Sequence, residues 1–246
     1  MKILTTTLLL TSLLLNQAYA AKWSYKDNTA PEKWASLSAE NSLCGTGQNQ
    51  SPLNIDTKKT ANFATRGVKF NYGMTRPESI TNTGNLIQVK TRGWANINVD
   101  DTEFKLIRID FHIPSEHTID GKHFPMELQF IHKSEKGKLA IVSKMAVPGR
   151  PDRALRRLFE KLPMKAGITE NLPPNALKNI EMKKKYGNYY RYNGSLTTPP
   201  CSEGVRWFVM KSTMTFSKEQ YEKLKLAVPQ DNNRPLQALN ARLILE

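Results

Sequence analysis

Three side chains that could take part in chemistry alternate along residues 107–118, which read IRIDFHIPSEHT: Arg108, Asp110 and His112. Side chains two residues apart on an extended strand point the same way, so these three are expected on one face. Asp and His are both zinc ligands. The segment therefore predicts part of a metal site, with an arginine that could instead pair with Asp110. Without a partner, a buried Asp110 would tend to take up a proton.

A second segment, residues 126–132 with the sequence MELQFIH, could complete such a site from a neighbouring strand. Glu127, Gln129 and Ile131 share one of its faces, and His132 points to the other. The amide of Gln129 is a weak zinc ligand. A site of one Asp, one His and one Gln should therefore bind zinc less tightly than three histidines, and it could favour harder ions.

Short alternating or β-branched runs, separated by turn residues, predict the strands that hold these side chains. They are VKFNY at 68–72, NLIQVKT at 85–91, ANINVD at 95–100, FKLIRIDFHI at 104–113, MELQFIH at 126–132, KLAIVSKMA at 138–146 and VRWFVMKSTMTF at 205–216. The expected fold class is mainly β, with a largely antiparallel sheet and a few short helices.

Two helices are expected. The run DRALRRLFEKLP, residues 152–163, has helical periodicity. Its apolar stripe consists of Leu155, Leu158, Phe159 and Leu162. A second helix should begin at Ser217, because Gln220 follows three residues later as in a capping box.

The length of 246 residues fits one large domain or two small ones. Because no linker, repeat or low-complexity tract appears, we expect one domain over residues 21–246. Residues 1–20 combine Lys2, a short apolar run and the ending AYA, which is typical of a secretory signal peptide. No stretch is apolar for long enough to predict a membrane span. The protein is therefore expected in the periplasm or outside the cell.

Cys44 and Cys201 would then lie in an oxidising compartment. There, two cysteines far apart in sequence favour a disulfide, and two free buried thiols are the alternative.

The net charge of +14 falls to +13 without residues 1–20, and the excess is uneven. Residues 133–191 hold fifteen Lys or Arg against five Asp or Glu, which is +10. Such a segment attracts polyanions, so an acidic glycan or lipopolysaccharide is the expected partner; a solvated face is the alternative. The candidate polyanion-binding residues lie on the predicted helix: Arg153, Arg156, Arg157 and Lys161. Nucleic acid is not expected, since no nucleic-acid-binding motif is recognised.

Six segments, in order over nearly the whole chain after residue 20, resemble the α-class carbonic anhydrases of the bacterial exported type. They are WSYKDNTAPEKW (23–34), CGTGQNQSPLNI (44–55), IDFHIPSEHTI (109–119), MELQFIH (126–132), YNGSLTTPPCSEGVRWFVM (192–210) and NNRPLQALNAR (232–242). The resemblance implies one domain around a central twisted, largely antiparallel sheet, with the active site at the bottom of a conical cleft. It also implies a disulfide between Cys44 and Cys201.

In that family three histidines hold a zinc ion, and the resemblance maps these positions onto Asp110, His112 and Gln129. Only His112 is retained. The flanking PSEHT and MEL fix the register on both sides. Zinc lowers the pKa of its bound water from about 15.7 to about 7, and losing this shift removes about 12 kcal/mol of help with CO₂ hydration.

The surrounding residues largely match. Glu116 and Thr197 correspond to the pair that orients the zinc-bound hydroxide. The substrate-pocket wall corresponds to Ile131, Leu196, Thr198 and Trp207. Arg108, His117 and Glu127 would lie behind the ligands, and Asn85 occupies the usual position of the proton-shuttle histidine. Alternatively, Glu116, His117 and Thr197 form a buried hydrogen-bond network that serves folding alone.

The sequence thus predicts an exported α-carbonic-anhydrase-like protein without efficient zinc-dependent CO₂ hydration and without a bound cofactor. Its expected role is that of a binding module. The alternative is an active carbonate dehydratase, which converts CO₂ to bicarbonate, with zinc in an unusual Asp/His/Gln site. No G-x-S-x-G or H-E-x-x-H motif supports a different hydrolase.

Overall fold

A computed structural model of the chain describes residues 23–62, 67–73, 75–92, 94–177 and 189–246. The predicted signal peptide, residues 1–20, lies outside the described residues. Among those described, the longest helix has ten residues, and no helix could cross a lipid bilayer.

The described chain folds around β-strands. These are β1 Asn54–Ile55, β2 Lys69–Asn71, β3 Pro77–Asn82, β4 Ile87–Thr91, β5 Asn96–Val99, β6 Thr102–His112, β7 Thr118–Ile119, β8 Lys122–His123, β9 Met126–Lys133, β10 Leu139–Pro148, β11 Thr169–Asn171, β12 Tyr189–Ser195, β13 Glu203–Met210 and β14 Met214–Phe216. The α-helices are α1 Trp34–Leu37, α2 Leu43–Thr46, α3 Arg153–Glu160 and α4 Lys218–Ala227.

Eleven strands form the main sheet, in the order β11-β3-β4-β6-β9-β10-β13-β12, with β5 joined to β2 and β6, and β14 joined to β10. Most neighbours are antiparallel; β10 is parallel to β13 and β14. A separate three-stranded sheet has the order β1-β7-β8. The mainly β fold predicted from the sequence is therefore confirmed.

The strand predictions differ from the structure in several places, since β1, β3, β7, β8, β11 and β12 lie outside the predicted runs. The run 205–216 is divided into β13 and β14, which pair with different parts of β10. Strand β3 was not predicted; it begins at Pro77, whose missing N–H is tolerated at the first position of a strand.

The main sheet buries different clusters on its two faces. Along β9, Leu128 and Phe130 join the larger core, which also receives the apolar stripe of α3. Ile131 joins a smaller core with Trp207 of β13 on the opposite face. Gln129 also has its side chain on that face, because residues alternate along a strand. The sheet thus separates a helix-covered core from the face that carries the candidate site.

Both predicted helices are present. Asp152 caps α3, its carboxylate accepting hydrogen bonds from the backbone N–H groups of Ala154 and Leu155. The stripe residues are buried, and each contributes about 1.5–3 kcal/mol to folding. At α4, Ser217 and Gln220 form the expected capping box.

Candidate active site

The three positions that the family resemblance assigned to metal ligands lie on the adjacent antiparallel strands β6 and β9. Asp110 is directly opposite Gln129, and His112 is opposite Glu127. Asp110, His112 and Gln129 are 3%, 1% and 2% exposed. The sheet register thus brings the three side chains together at a buried position.

Asp110 is bound by Arg108, two residues earlier on β6. The Arg108 Nε atom lies 2.9 Å from Oδ1 and 3.0 Å from Oδ2 of Asp110. A β-bulge between Leu106 and Arg108 shifts the pairing with β9 just before this residue. The Arg108 side chain is about one third exposed and the Asp110 carboxylate is buried, so the cation covers the carboxylate from the solvent side. The ion pair suggested by the strand alternation is confirmed.

Gln129 is bound by two carboxylates. Its amide nitrogen donates to Glu116 Oε2 at 2.6 Å and to Glu127 Oε1 at 3.1 Å. Carboxylate oxygens accept hydrogen bonds when ionised, so the amide NH₂ must face them, which fixes the orientation of the amide. Both amide hydrogens are used in this bridge between the two glutamates.

Glu127 is the most heavily bonded carboxylate of the site. It accepts five hydrogen bonds, which come from Gln129, from Ser143 Oγ, from His117 Nδ1 and from the backbone N–H groups of Glu116 and His117. Burial alone would raise its pKa, but the charge and hydrogen bond of His117, helped by Ser143, lower the pKa to about 2. Glu127 is therefore an anion fixed in place.

Glu116 has the opposite tendency. Burial raises its pKa, the negative charge of Glu127 raises it further, and hydrogen bonds from Thr197 and from the Arg234 backbone partly oppose this. Its Oε1 accepts from the backbone N–H of Arg234 at 3.1 Å. The Glu116 and Thr197 side chains that the resemblance paired are therefore in contact, and the pair is tied to the C-terminal segment.

His112 has a fixed ring orientation. Its Nδ1 donates to the backbone carbonyl of Asn232 at 2.8 Å, which leaves Nε2 as an acceptor. Such a bond to Nδ1 is the usual way to hold a histidine that coordinates a metal through Nε2. Of the three positions, this one alone retains both the residue and the support of a metal ligand.

The residues do not fit the zinc ion that the family implies. Asp110 is neutralised by a guanidinium, whose positive charge would repel a cation at the same carboxylate. The Gln129 amide nitrogen is committed to Glu116 and Glu127, and the amide oxygen, the atom that could coordinate, is only a weak zinc ligand. Within the described ranges, no group of three or more His, Cys, Asp or Glu is arranged to hold a metal. Only His112 remains as a good zinc donor.

Three of the four residues expected in the pocket wall belong to the smaller core or pack against it. Ile131 and Trp207 are buried in the smaller core, and Leu196 packs against it, half-buried. Thr198 is also half-buried. Trp207 Nε1 donates to the backbone carbonyl of Ser195 at 2.9 Å, which fixes the indole.

Asn85, at the shuttle position, is committed to structural contacts. Its Nδ2 donates to the backbone carbonyl of Trp23 at 2.8 Å, and its Oδ1 accepts from Gln230 Nε2 at 3.2 Å. The amide has no group that titrates near neutral pH. It joins the N-terminal segment to the C-terminal one.

Sequence reasoning missed several residues that hold the site. Arg234 is 2% exposed, and its guanidinium donates to Gln50 Oε1, to the Ser51 carbonyl and to the Cys44 carbonyl. In the sequence, Arg234 lies in the segment NNRPLQALNAR. That segment contributed to the family resemblance, but none of its residues was given a role. Asn232 and Ser143 were missed because their partners are distant in sequence.

The predicted disulfide is confirmed: Cys44 and Cys201 are bonded, 157 residues apart. Cys201 is fully buried. The bond anchors the segment that carries Leu196 and Thr197 to the N-terminal part of the chain.

The basic residues of segment 133–191 lie in more than one place. Arg153, Arg156 and Lys161 are exposed on and beside α3, and Arg157 donates to the backbone carbonyl of Asn175 at 3.1 Å. The turn before β10 carries further lysines. The strand β10 lies between this turn and the loop that leads into α3, and α3 then packs back on the sheet, with the Phe159 ring 6.1 Å from the Phe111 ring.

Comparisons with known proteins agree with this architecture. The family model for eukaryotic-type carbonic anhydrase matches residues 29–246. A carbonic anhydrase of Klebsiella pneumoniae is 38% identical over 245 residues, covering 97% of this chain and 96% of that protein. The α-carbonic anhydrase of Thermovibrio ammonificans, solved with the inhibitor sulfanilamide, is 36% identical with a TM-score of 0.84, covering 92% of this chain and 99% of the other. Dioscorin, solved in complex with ascorbate, is 32% identical with a TM-score of 0.82, covering 91% and 97%.

Proposed function

The chain belongs to the eukaryotic-type carbonic anhydrase family, and we propose that it retains the family's fold and cleft without zinc-dependent CO₂ hydration and serves as an exported binding protein. One observation carries the first part of this proposal: protein groups already occupy two of the three ligand positions. Arg108 pairs with Asp110, and Gln129 bridges Glu116 and Glu127.

The remaining groups do not supply a substitute for the metal. CO₂ hydration at neutral pH needs a hydroxide, and a bound zinc ion makes one by lowering the pKa of its water. Glu116 and Thr197 can orient a nucleophile but cannot lower the pKa of water by nearly 9 units, worth about 12 kcal/mol. Of the two arginines at the site, Arg108 is neutralised by Asp110, and the Arg234 guanidinium is directed to Gln50 and to the backbone carbonyls of Ser51 and Cys44.

The binding role rests on charge and on the family's range of ligands. Dioscorin, which shares the fold, was solved with ascorbate, so the fold accommodates a ligand other than a sulfonamide inhibitor. The +10 charge of residues 133–191 suits an acidic glycan or lipopolysaccharide. Export is supported by the Cys44–Cys201 disulfide, which is typical of an oxidising compartment.

Metal content and hydration rate, measured on one preparation, test the proposal. The oxidised mature protein, residues 21–246, is purified without chelators, with the Klebsiella pneumoniae relative prepared in parallel as the matched control. We expect much less than one zinc per chain, and CO₂ hydration no faster than in a chelator-treated sample. Stoichiometric zinc together with sulfonamide-sensitive hydration would establish the alternative, an active carbonate dehydratase with an Asp/His/Gln site, and overturn the proposal.

A further inference from the structure

A groove lies beside the cleft, between the turn that joins β9 to β10 and the turn that joins β12 to β13. Its volume is ≈ 890 Å³, within the range of about 300–1,000 Å³ that is usual for small-molecule sites. Leu139 and Leu196 line it. Since Leu196 also belongs to the pocket wall, the groove adjoins the candidate site.

The groove is strongly basic. Four cationic residues line it, namely Lys136, Lys138, Arg206 and Arg242, against the single carboxylate of Glu203. The Glu203 Oε1 atom accepts from the backbone N–H of Asn49 at 2.6 Å and from Gln50 Nε2 at 3.1 Å, so its charge is directed to these donors. The lining thus carries an excess of three positive charges.

Arg242 is held rigidly and forms no ion pair with the described residues; the Glu203 carboxylate acts on its charge only from a longer distance, and its guanidinium lies over the Tyr192 ring at 5.8 Å. Its Nε, Nη1 and Nη2 donate to the backbone carbonyls of Leu239, Asn193 and Ala238 at 3.0, 3.1 and 2.6 Å. Carbonyl groups fix the guanidinium plane but carry no net charge, and no carboxylate lies within ion-pair distance of it among the described residues. Two of its five N–H donors remain, in the planar geometry that suits a carboxylate or sulfate.

The lysines of the groove stand on a tight turn. Gly137, with φ of +77°, separates Lys136 from Lys138, and the turn is closed by the hydrogen bond from Ser134 N to Lys138 O at 2.9 Å. Both lysines are exposed, and neither forms an ion pair within the described part of the chain. Arg206, by contrast, forms an ion pair with Asp100, in which its Nη1 atom lies 3.2 Å from Oδ2.

The other side of this turn is less suited to an anion. A depression of ≈ 330 Å³ there shares the two lysines and Arg206, but its lining includes the carboxylates of Asp101, Glu103 and Glu135. The charges on that side balance. An anion bound at the lysines is therefore held more favourably on the Arg242 side of the turn than on the side with the three carboxylates.

We propose that this groove binds an acidic oligosaccharide, with its carboxylate or sulfate groups on Arg242, Lys136 and Lys138. Between the cations the lining offers neutral hydrogen-bonding groups, Asn193 and Ser202, and the apolar Leu196. A lining that combines cations with neutral hydrogen-bonding groups suits a ligand that carries both acidic groups and hydroxyl groups. The assignment rests on the proposed binding role and locates its site at the groove, away from α3.

Two triple variants of equal charge test the assignment. Lys136→Gln/Lys138→Gln/Arg242→Gln removes three cations from the groove. Arg153→Gln/Arg156→Gln/Lys161→Gln removes three from the region of α3, whose residues do not line the groove, so nonspecific attraction falls equally in both. Calorimetry with a heparin oligosaccharide and with an oligogalacturonate, in a salt series that includes about 150 mM NaCl, separates specific contacts from screened attraction.

We expect the groove variant to lose about tenfold or more in affinity, since each lost charge-assisted hydrogen bond can account for such a factor, and the α3 variant to lose less than twofold. If Arg242→Gln impairs folding, Lys136→Gln/Lys138→Gln should still weaken binding severalfold at an unchanged melting temperature. Equal losses in the two triple variants, no loss in either, or polyphosphate binding as tight as that of both saccharides would overturn the assignment. Zinc content and hydration rate are measured separately from oligosaccharide binding. They show whether the proposed loss of catalysis is wrong, whatever the binding experiment gives.

Discussion

Replacement of Gln129 by leucine removes the bridge between two buried carboxylates and leaves the side-chain volume nearly unchanged. The Gln129 amide donates to Glu116 Oε2 at 2.6 Å and to Glu127 Oε1 at 3.1 Å, and both glutamates are fully buried. No water can easily replace the two donors at such a site. We therefore expect the Gln129→Leu protein to fold with markedly lower stability.

The size of the loss follows from the two hydrogen bonds. A hydrogen bond to a charged group contributes about 1.5–3 kcal/mol, so the two together give about 3–6 kcal/mol. The more favourable burial of leucine offsets about 1–2 kcal/mol of this loss. A net loss of about 3 kcal/mol lowers the melting temperature of a chain this size by about 6–12 °C.

The loss should depend on pH, with opposite contributions from the two glutamates. Burial raises the pKa of Glu116, so its contribution to stability is present at low pH and disappears as the pH rises through its folded-state pKa. Removing a donor raises that pKa further, and the deficit of the variant should grow from acidic to neutral pH. Glu127, with a pKa of about 2, keeps its stabilising charge until the pH falls to that value.

Chemical denaturation of wild type, Gln129→Leu and Gln88→Leu, at several pH values, measures these quantities. Gln88 lies opposite Asp110 on β4, is half-buried and makes no side-chain hydrogen bond to the described residues, so it is a matched control. A loss for Gln129→Leu no larger than that for Gln88→Leu, or a deficit that does not change with pH, would refute the bridge.

Two further predictions concern the metal positions and the disulfide. The Asp110→His/Gln129→His variant should bind zinc, and adding Arg108→Gln should tighten that binding. In the double variant the Arg108 guanidinium would lie about 5 Å from the ion, which is 2.9 Å plus a metal–ligand bond of about 2 Å. At that distance its repulsion of the ion costs about 2 kcal/mol when largely screened by water. Competitive zinc titration should therefore give about tenfold or more between the two variants, and equal affinities would mean that Arg108 points away from the metal position. Reduction of Cys44–Cys201 releases a closed loop of 157 residues, worth about 5 kcal/mol in the chain-entropy treatment, and should lower the melting temperature; unchanged melting would contradict it.

The strands that carry the site were predictable because their signals are local. Alternation along β6 groups Arg108, Asp110 and His112 on one face, and alternation along β9 sends Gln129 and His132 to opposite faces; the pairing of the two strands then sets Asp110 opposite Gln129. His132 lies beside Tyr72, with Nε2 2.7 Å from the phenol oxygen. The signals for helix α3 were equally local, since its apolar stripe and its N-cap lie within twelve residues of each other.

The bonding of the site was less predictable because its partners come from distant segments. Nothing in MELQFIH indicates that the Gln129 amide reaches Glu116, or that Asn232 orients His112 across 120 residues. The charge pattern does not indicate how the basic residues are distributed in space. Among the described residues, β10 lies between the turn lysines and α3, and the polyanion-binding role of the α3 residues stays a prediction.

The bridged glutamine also limits the routes by which this protein could recover a metal through successive substitutions. Changing Gln129 alone to histidine leaves Glu116 and Glu127 without their shared donor, while Asp110 still holds Arg108. Changing Asp110 alone frees a cation next to the site and still leaves the amide in place. Each first step breaks a buried pair and provides no complete ligand set in return. Single substitutions could therefore remove histidines from such a site one at a time. A return to three histidines is favourable for metal binding only when several substitutions occur together.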